Sequence, residues 1–121
     1  MRCSLRRLHS PDAFDLATYS PSDPSHFGIL VQAMVGPDNG PGEEAFDFVA
    51  CTASWLAAEV RERGPVWDQA HLVLEAYDYG VLHRLVDGVC RDAVGPDWDA
   101  IAAKLGRKLR WEFEDYQPAV P

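Results

Sequence analysis

The stretch from residue 43 to residue 56 changes its apolar periodicity once, and this change constrains the fold more than any other feature of the chain. Phe46, Phe48 and Ala50 occupy every second position, which is the spacing of a strand that buries one face. Asp47 lies on the other face, where an open sheet would expose it to solvent or to a partner. The stretch therefore predicts a strand that leads directly into a helix.

The helix that follows is predicted over residues 53–63. Thr52 suits its N-cap, because a threonine hydroxyl can accept a hydrogen bond from a free N–H of the first turn. Leu56 and Val60 follow at helical spacing. Gly64 suits the C-terminal end, where the backbone often takes a left-handed conformation.

Four further strands are predicted. Residues 27–35 alternate apolar side chains on both faces, which indicates a central strand. The glycine- and proline-rich residues 36–42 join it to the Phe46 strand as a long hairpin. Residues 2–9 have an imperfect pattern, which suggests an edge position or a bulge. Residues 71–76 and 109–114 complete the set, and the last alternates strictly.

Two further helices carry clear start signals. Asp78 and Asp97 suit their N-caps, and Gly106 ends the second. Their predicted apolar stripes are Leu82, Leu85, Val86 and Val89, and Trp98, Ile101, Ala102 and Leu105. The order of elements predicts an α+β fold: a mostly antiparallel sheet of four to five strands with about three helices packed on one face, in a single domain spanning residues 1–121.

Residues 11–26 form a long irregular connection with three prolines. Connections in compact domains are usually short, so one of this length needs a reason. Packing on the core through Phe14, Leu16 and Tyr19 is the favoured reason, and a functional loop is the alternative.

The composition limits the classes of partner. The net charge is −8, which argues against binding to nucleic acid or to anionic membranes, because both reward lysine and arginine. A basic protein partner is compatible with it, and so is a charge that only maintains solubility. No apolar run is long enough to span a membrane, and residues 1–7 lack the apolar core of a signal peptide. Three widely spaced cysteines suit reduced, buried thiols in the cytoplasm.

No group of residues indicates catalysis or a cofactor. The four histidines are scattered, and a metal site that combined His71, Glu75 and His9 is the least favoured interpretation. Ser54 lacks the flanking glycines of a nucleophile elbow. Cys51 lies near a helix N-terminus, where its pKa could be lowered, but no histidine can be paired with it. The sequence therefore predicts no catalytic residue, no metal and no cofactor.

Carboxylates and aromatic side chains mark two separate strands of the predicted sheet. If these strands are neighbours, they form an acidic surface with aromatic edges, which suits a basic protein partner. A sheet edge that acids protect from aggregation is the alternative. The candidate partner-binding residues are Glu43, Glu44, Asp47, Trp111, Glu112, Glu114, Asp115 and Tyr116.

A series of short motifs in fixed order resembles the immunity protein 8 family of bacterial polymorphic toxin systems. The motifs are Leu8-His9-Ser10-Pro11-Asp12, Phe27-Gly28, Phe46-Asp47-Phe48, Cys51-Thr52, Trp55-Leu56, Glu75 with Tyr77-Asp78, and Trp111-Glu112-Phe113-Glu114-Asp115-Tyr116. The resemblance covers nearly the whole chain. One departure is Ala53, which stands where the family usually has proline, a residue favoured but not required at the first helical position.

The resemblance implies a cytoplasmic protein that binds and neutralises a cognate toxin without catalysis or a cofactor. An acidic inhibitor suits a basic toxin such as a nuclease, because it can compete where the toxin would bind phosphate. The sequence favours no particular oligomeric state. The alternatives are a general protein-interaction or regulatory module and, less favoured, a small metal-dependent hydrolase.

Overall fold

The computed structural model describes residues 1–67 and 70–111 of the 121-residue chain. These residues form five strands and three helices, and the α+β prediction is confirmed. In chain order the elements are β1 (Cys3–His9), β2 (Gly28–Pro37), β3 (Glu44–Thr52), α1 (Ala53–Arg63), β4 (His71–Leu74), α2 (Tyr79–Asp92), α3 (Trp98–Leu105) and β5 (Arg110–Trp111). No helix among these elements has the length and apolar character needed to cross a membrane.

β3 is the strand around which the sheet is organised. The strands follow the order β1-β2-β3-β4, and β5 also pairs with β3. β1, β2 and β5 pair antiparallel, whereas β4 runs parallel to β3. β4 lies beside residues 49–52 of β3 and β5 beside residues 46–47, so both occupy the same edge of that strand. The predicted hairpin is confirmed, and so is the irregularity of the first strand, whose register shifts between Leu5 and Arg7.

One face of the sheet carries the core. The alternating side chains of β2 and β3 that were predicted to share a face are buried together, and α2 and α3 pack on them. The strand residues are Ile29, Val31, Ala33, Val35, Phe46, Phe48 and Ala50, and the helix residues are Leu82, Val86, Cys90, Ile101, Ala102 and Leu105.

Both aspartate caps are confirmed, but one predicted stripe is partly wrong. Asp78 accepts a hydrogen bond from the backbone N–H of Val81, and Asp97 accepts one from Ala100. In α2 the buried side chains follow strict four-residue steps and include Cys90, whereas Leu85 is 42% exposed. α2 is therefore rotated about its axis relative to the prediction, so that Leu82 and Val86 of the predicted stripe are buried and Leu85 is not.

α1 departs from the prediction that all the helices lie on one face. It buries none of its residues fully, and Trp55 packs against Gly28, whose neighbour Ile29 faces the core. Because side chains alternate along a strand, Trp55 covers the opposite face of the sheet. The predicted Thr52 cap bond is also wrong: Thr52 Oγ1 accepts a hydrogen bond from the backbone N–H of Phe27 at 3.1 Å and caps no helical N–H.

The long connection before β2 packs on the core, but not through all the predicted residues. Leu16 is buried and Tyr19 is half-buried, whereas Phe14 is fully exposed. The Tyr77 hydroxyl donates to the carbonyl oxygen of Leu16, and its ring meets Tyr19 and Phe27 edge to face. Burial of this phenol raises the pKa of Tyr77 to about 12. Tyr77 therefore anchors the connection to the end of the sheet.

Candidate functional site

The pairing of β5 with β3 brings the two predicted halves of the acidic surface into contact. Trp111 Nε1 donates a hydrogen bond to Glu44 Oε2 over 2.6 Å. The Trp111 ring also stacks on Phe46, with ring centroids 6.3 Å apart and planes inclined by 11°. Phe46 itself is fully buried. A hydrogen bond and a stacking contact therefore orient Trp111, and one Glu44 oxygen is held against the indole.

A groove opens beside this contact, between the β2–β3 hairpin and the start of α3. We call it the acidic groove; it is lined by Pro37, Pro41, Gly42, Glu43, Glu44 and Trp98. Trp98 meets the Phe46 ring at 72°, so both tryptophans rest on the same phenylalanine. Glu43 forms an ion pair with Arg7, with Arg7 Nη2 2.8 Å from Glu43 Oε1. The groove thus combines two carboxylates with an aromatic wall.

Trp98 was assigned to the core by its helical spacing, and its contribution to the groove was missed. It lies at the first position of α3 and is only half-buried. The spacing of an apolar stripe does not distinguish a terminal residue that reaches the surface from one that is covered.

Asp47 lies on the other face of β3 from Glu44 and Trp111. Its register partners are Gln32 on β2 and Arg110 on β5. Asp47 Oδ2 lies 3.5 Å from Gln32 Nε2, and Asp47 Oδ1 is buried without a hydrogen-bond partner within the described ranges. β5 is only two residues long. Asp47 and Glu44 therefore both lie beside it, on opposite faces of the sheet.

The other four candidate residues cannot be located by the same geometry. Glu112, Glu114, Asp115 and Tyr116 lie outside the described residues, and so do residues 112–114 of the predicted final strand. The described part of that strand is Arg110–Trp111, and it leads directly into them.

The residues considered for catalysis or metal binding do not assemble into a reactive centre within residues 1–67 and 70–111. No group of three metal-ligating side chains converges there. Burial raises the pKa of the Cys51 thiol, opposite to the lowered pKa that its position near a helix suggested.

A serine–histidine contact is also present in the structure. Ser54 Oγ lies 2.9 Å from His26 Nδ1 and donates to the carbonyl oxygen of Ser25 at 3.1 Å. The Ser25 carbonyl oxygen thus competes with the imidazole for the hydroxyl hydrogen. The contact links the loop before β2 to α1.

Comparison with known proteins assigns the chain to a family. The family model described as immunity protein 8 matches residues 3–116, which include every strand and helix described above. No curated protein and no solved structure matches the chain significantly. Because the family match extends over almost the whole sequence, the chain belongs to the immunity protein 8 family.

Proposed function

We propose that this protein neutralises a cognate toxin by binding it stoichiometrically at the β5 edge of the sheet. The observation that carries the proposal is the contact between Trp111 and Glu44, which joins an aromatic side chain and a carboxylate from distant parts of the chain. Aromatic residues supply much of the binding energy at protein interfaces, especially when they are held in place before the partner arrives.

The charge of the protein supports a basic partner. The net charge is −8, and Glu43 and Glu44 line a groove walled by Trp98. A lysine or arginine side chain that entered the groove would meet both a carboxylate and an aromatic face, two partners that favour a cation. A nuclease is one class of toxin with such cations, because it must bind phosphate.

The proposed surface continues around the edge of the sheet and along the chain. Asp47 contributes on the opposite face of β3, where its Oδ1 atom is buried without a hydrogen-bond partner within the described part of the chain. The proposal also includes the four candidates that follow Trp111 in sequence, namely Glu112, Glu114, Asp115 and Tyr116.

A reducing compartment such as the cytoplasm suits this function. All three cysteines are buried and free of disulfides, and thiols of this kind persist where the environment keeps them reduced. A toxin that acted on cytoplasmic targets would be intercepted there.

Co-expression tests the proposal most directly. The product of the adjacent upstream gene would be expressed in a sensitive host with and without this protein. We expect growth to be restored and the two proteins to co-purify in equal amounts. Toxicity that persists despite soluble expression of this protein would contradict neutralisation of that product.

Charge reversal then maps the surface. Glu43→Lys removes a groove carboxylate at an exposed position, and we expect it to weaken toxin binding by roughly tenfold. Glu62→Lys on α1 is the matched control, because it makes the same change at an exposed position outside the groove. Equal affinity of both variants and the unmodified protein would move the interface away from the acidic groove.

A further inference from the structure

A second concave site lies on the core side of the sheet, beyond the residues that form the acidic groove. It is a cleft of about 180 Å³. We call it the basic cleft; it is lined by Phe48, His71, Leu72, Leu85, Val86, Val89, Arg107, Lys108 and Leu109. None of these residues belongs to the surface assigned to the toxin above.

The cleft exists because α2 and the segment after α3 do not close over the end of β4. Leu85 is rotated away from the buried stripe of α2, and it is 42% exposed. Leu109, in contrast, is buried next to β5. The opening between them exposes the apolar sides of Leu72 and Val89, which are only partly buried. An apolar group from outside could therefore complete the packing here.

The rim of the cleft has the opposite charge to the protein as a whole. Arg107 and Lys108 are exposed, and neither forms an ion pair with a carboxylate of the described residues. Among the residues that the structure describes, no acidic side chain lines the cleft. His71 also contributes to the wall of the cleft. An anion attached to an apolar group fits this combination of charge and surface.

We infer that the basic cleft binds one apolar side chain of the partner protein that is flanked by a carboxylate. The volume suits one large side chain, whereas sites for cofactors and drug-sized ligands usually enclose about 300–1,000 Å³. Buried pockets that accept a single anchor residue are typical of the strongest contacts in protein interfaces. The partner in question is the toxin, so this inference rests on the proposed function.

The two sites lie on neighbouring parts of one edge. Phe48 in the basic cleft and Glu44 in the acidic groove are four residues apart on β3, which corresponds to roughly 13 Å along a strand. A partner that spanned both would present a cation at one site and an acid-flanked apolar residue at the other. This reversal of charge over a short distance would fix the orientation of the complex.

Two small probes that share an indole ring test the cleft without any toxin. Indole-3-acetate carries a carboxylate and tryptamine an ammonium group, and each would be titrated into the full chain while amide chemical shifts are followed. We expect indole-3-acetate to shift the amides of residues 85–89 and 107–109 and to bind roughly fivefold more tightly there than tryptamine.

Charge variants give the control. Arg107→Glu combined with Lys108→Glu should abolish the preference for indole-3-acetate, and Arg61→Glu, which changes an exposed cation on α1, should leave it intact. Arg107→Ala with Lys108→Ala serves the same purpose if the double reversal does not fold. Absence of shifts at the cleft, equal binding of the two probes, or an unchanged preference in the double variant would overturn the inference. Because no toxin takes part, such a result would leave the co-expression test of neutralisation unaffected.

Discussion

Gly28 and Trp55 are in direct contact: a Cβ atom at residue 28 would lie only 2.1 Å from Cε2 of the indole ring. This contact is the attachment of α1 to the sheet face opposite the core. Glycine at residue 28 is therefore required by the indole ring above it, and its backbone has no left-handed conformation that would demand glycine.

Gly28→Ala should destabilise the protein by roughly 1–3 kcal/mol, because the indole must move to admit a methyl group. The free energy of unfolding from urea titration measures the loss. Trp55→Ala removes the obstruction, so Gly28→Ala should cost much less in that background, and the double-mutant cycle isolates the contact. Equal costs in both backgrounds would contradict the assigned packing.

Gly88→Ala is the matched change at a position with space. A Cβ atom at residue 88 would meet nothing within 4 Å, and the residue lies within α2. Alanine is favoured over glycine in a helix by about 1 kcal/mol, so this variant should gain stability of that order. A loss of stability would show that the helix is more closely packed at residue 88 than the structure indicates.

Phe46→Ala should be among the most damaging substitutions in the sheet. Phe46 is fully buried and touches both Trp98 and Trp111. Its removal should cost roughly 3–5 kcal/mol through lost burial and the remaining cavity. Phe14→Ala, at a fully exposed position, is the control and should change the unfolding free energy by less than about 0.5 kcal/mol. Similar melting of the two variants would contradict the assignment of the core face.

Tyr77 makes stability depend on pH in the alkaline range. Its pKa is raised to about 12 in the folded protein from an ordinary value of 10.0. Between these values the unfolded chain has released the phenolic proton while the folded protein retains it, so stability falls as the pH rises. This contribution is fully present below pH 10 and lost above pH 12.

Tyr77→Phe should abolish that part of the pH dependence. It should also cost about 0.5–1.5 kcal/mol at neutral pH, because the hydrogen bond to Leu16 is lost. Thermal unfolding between pH 8 and pH 12 provides the comparison, with Tyr19→Phe as the control that keeps the neighbouring ring. A Tyr77→Phe profile parallel to that of the unmodified protein would contradict the role assigned to the phenol.

Substitutions at Glu44 separate its charge from its hydrogen bond. Glu44→Gln retains an oxygen that can accept from Trp111 Nε1, so stability should change little, whereas toxin affinity should fall by roughly fivefold to tenfold through loss of charge. Glu44→Ala also removes the acceptor and should lose about 1 kcal/mol of stability. Calorimetric titration and melting temperatures measure both effects. Full toxin affinity in both variants would show that this carboxylate does not face the partner.

Features set by neighbouring residues were predicted well from the sequence. Asp78 and Asp97 cap helices because a short acidic side chain reaches the N–H groups of its own first turn. The alternation in β2 and β3 identified the core face, because the side chains of a strand point alternately to its two sides. Gly64 ends α1 with a φ of 97°, a conformation that suits glycine.

Features set by distant residues could not be predicted in the same way. The Thr52 hydroxyl suits a cap, but Phe27, which is far away in the sequence, takes that hydrogen bond. In α2, spacings of three and four residues allow either Leu85 or Cys90 to complete the stripe, and only the packing against β1 and the rest of the core decides between them. The basic cleft arises from the same rotation of α2, so it could not be predicted from the local sequence pattern.

The candidate surface was predicted in part. The sequence identified two strands with acidic residues, and it predicted a common surface only if those strands were neighbours. They are neighbours, because β5 pairs with β3 and Trp111 contacts Glu44. It did not anticipate that Asp47 would lie on the opposite face from Glu44, although strand alternation alone implies this. The contribution of Trp98 depends on where α3 begins relative to the hairpin, which is a property of the tertiary structure.

The contact between Glu44 and Trp111 also has an evolutionary consequence. The two residues are separated by 67 positions in the sequence, so a surface that depends on both is encoded in two distant parts of one gene. A crossover between related genes that fell between them would join one half of the surface to a foreign second half. New partner specificity would then arise most readily through paired changes in the two segments, and a lineage that changed only one would pass through a protein that still folds but recognises its partner poorly.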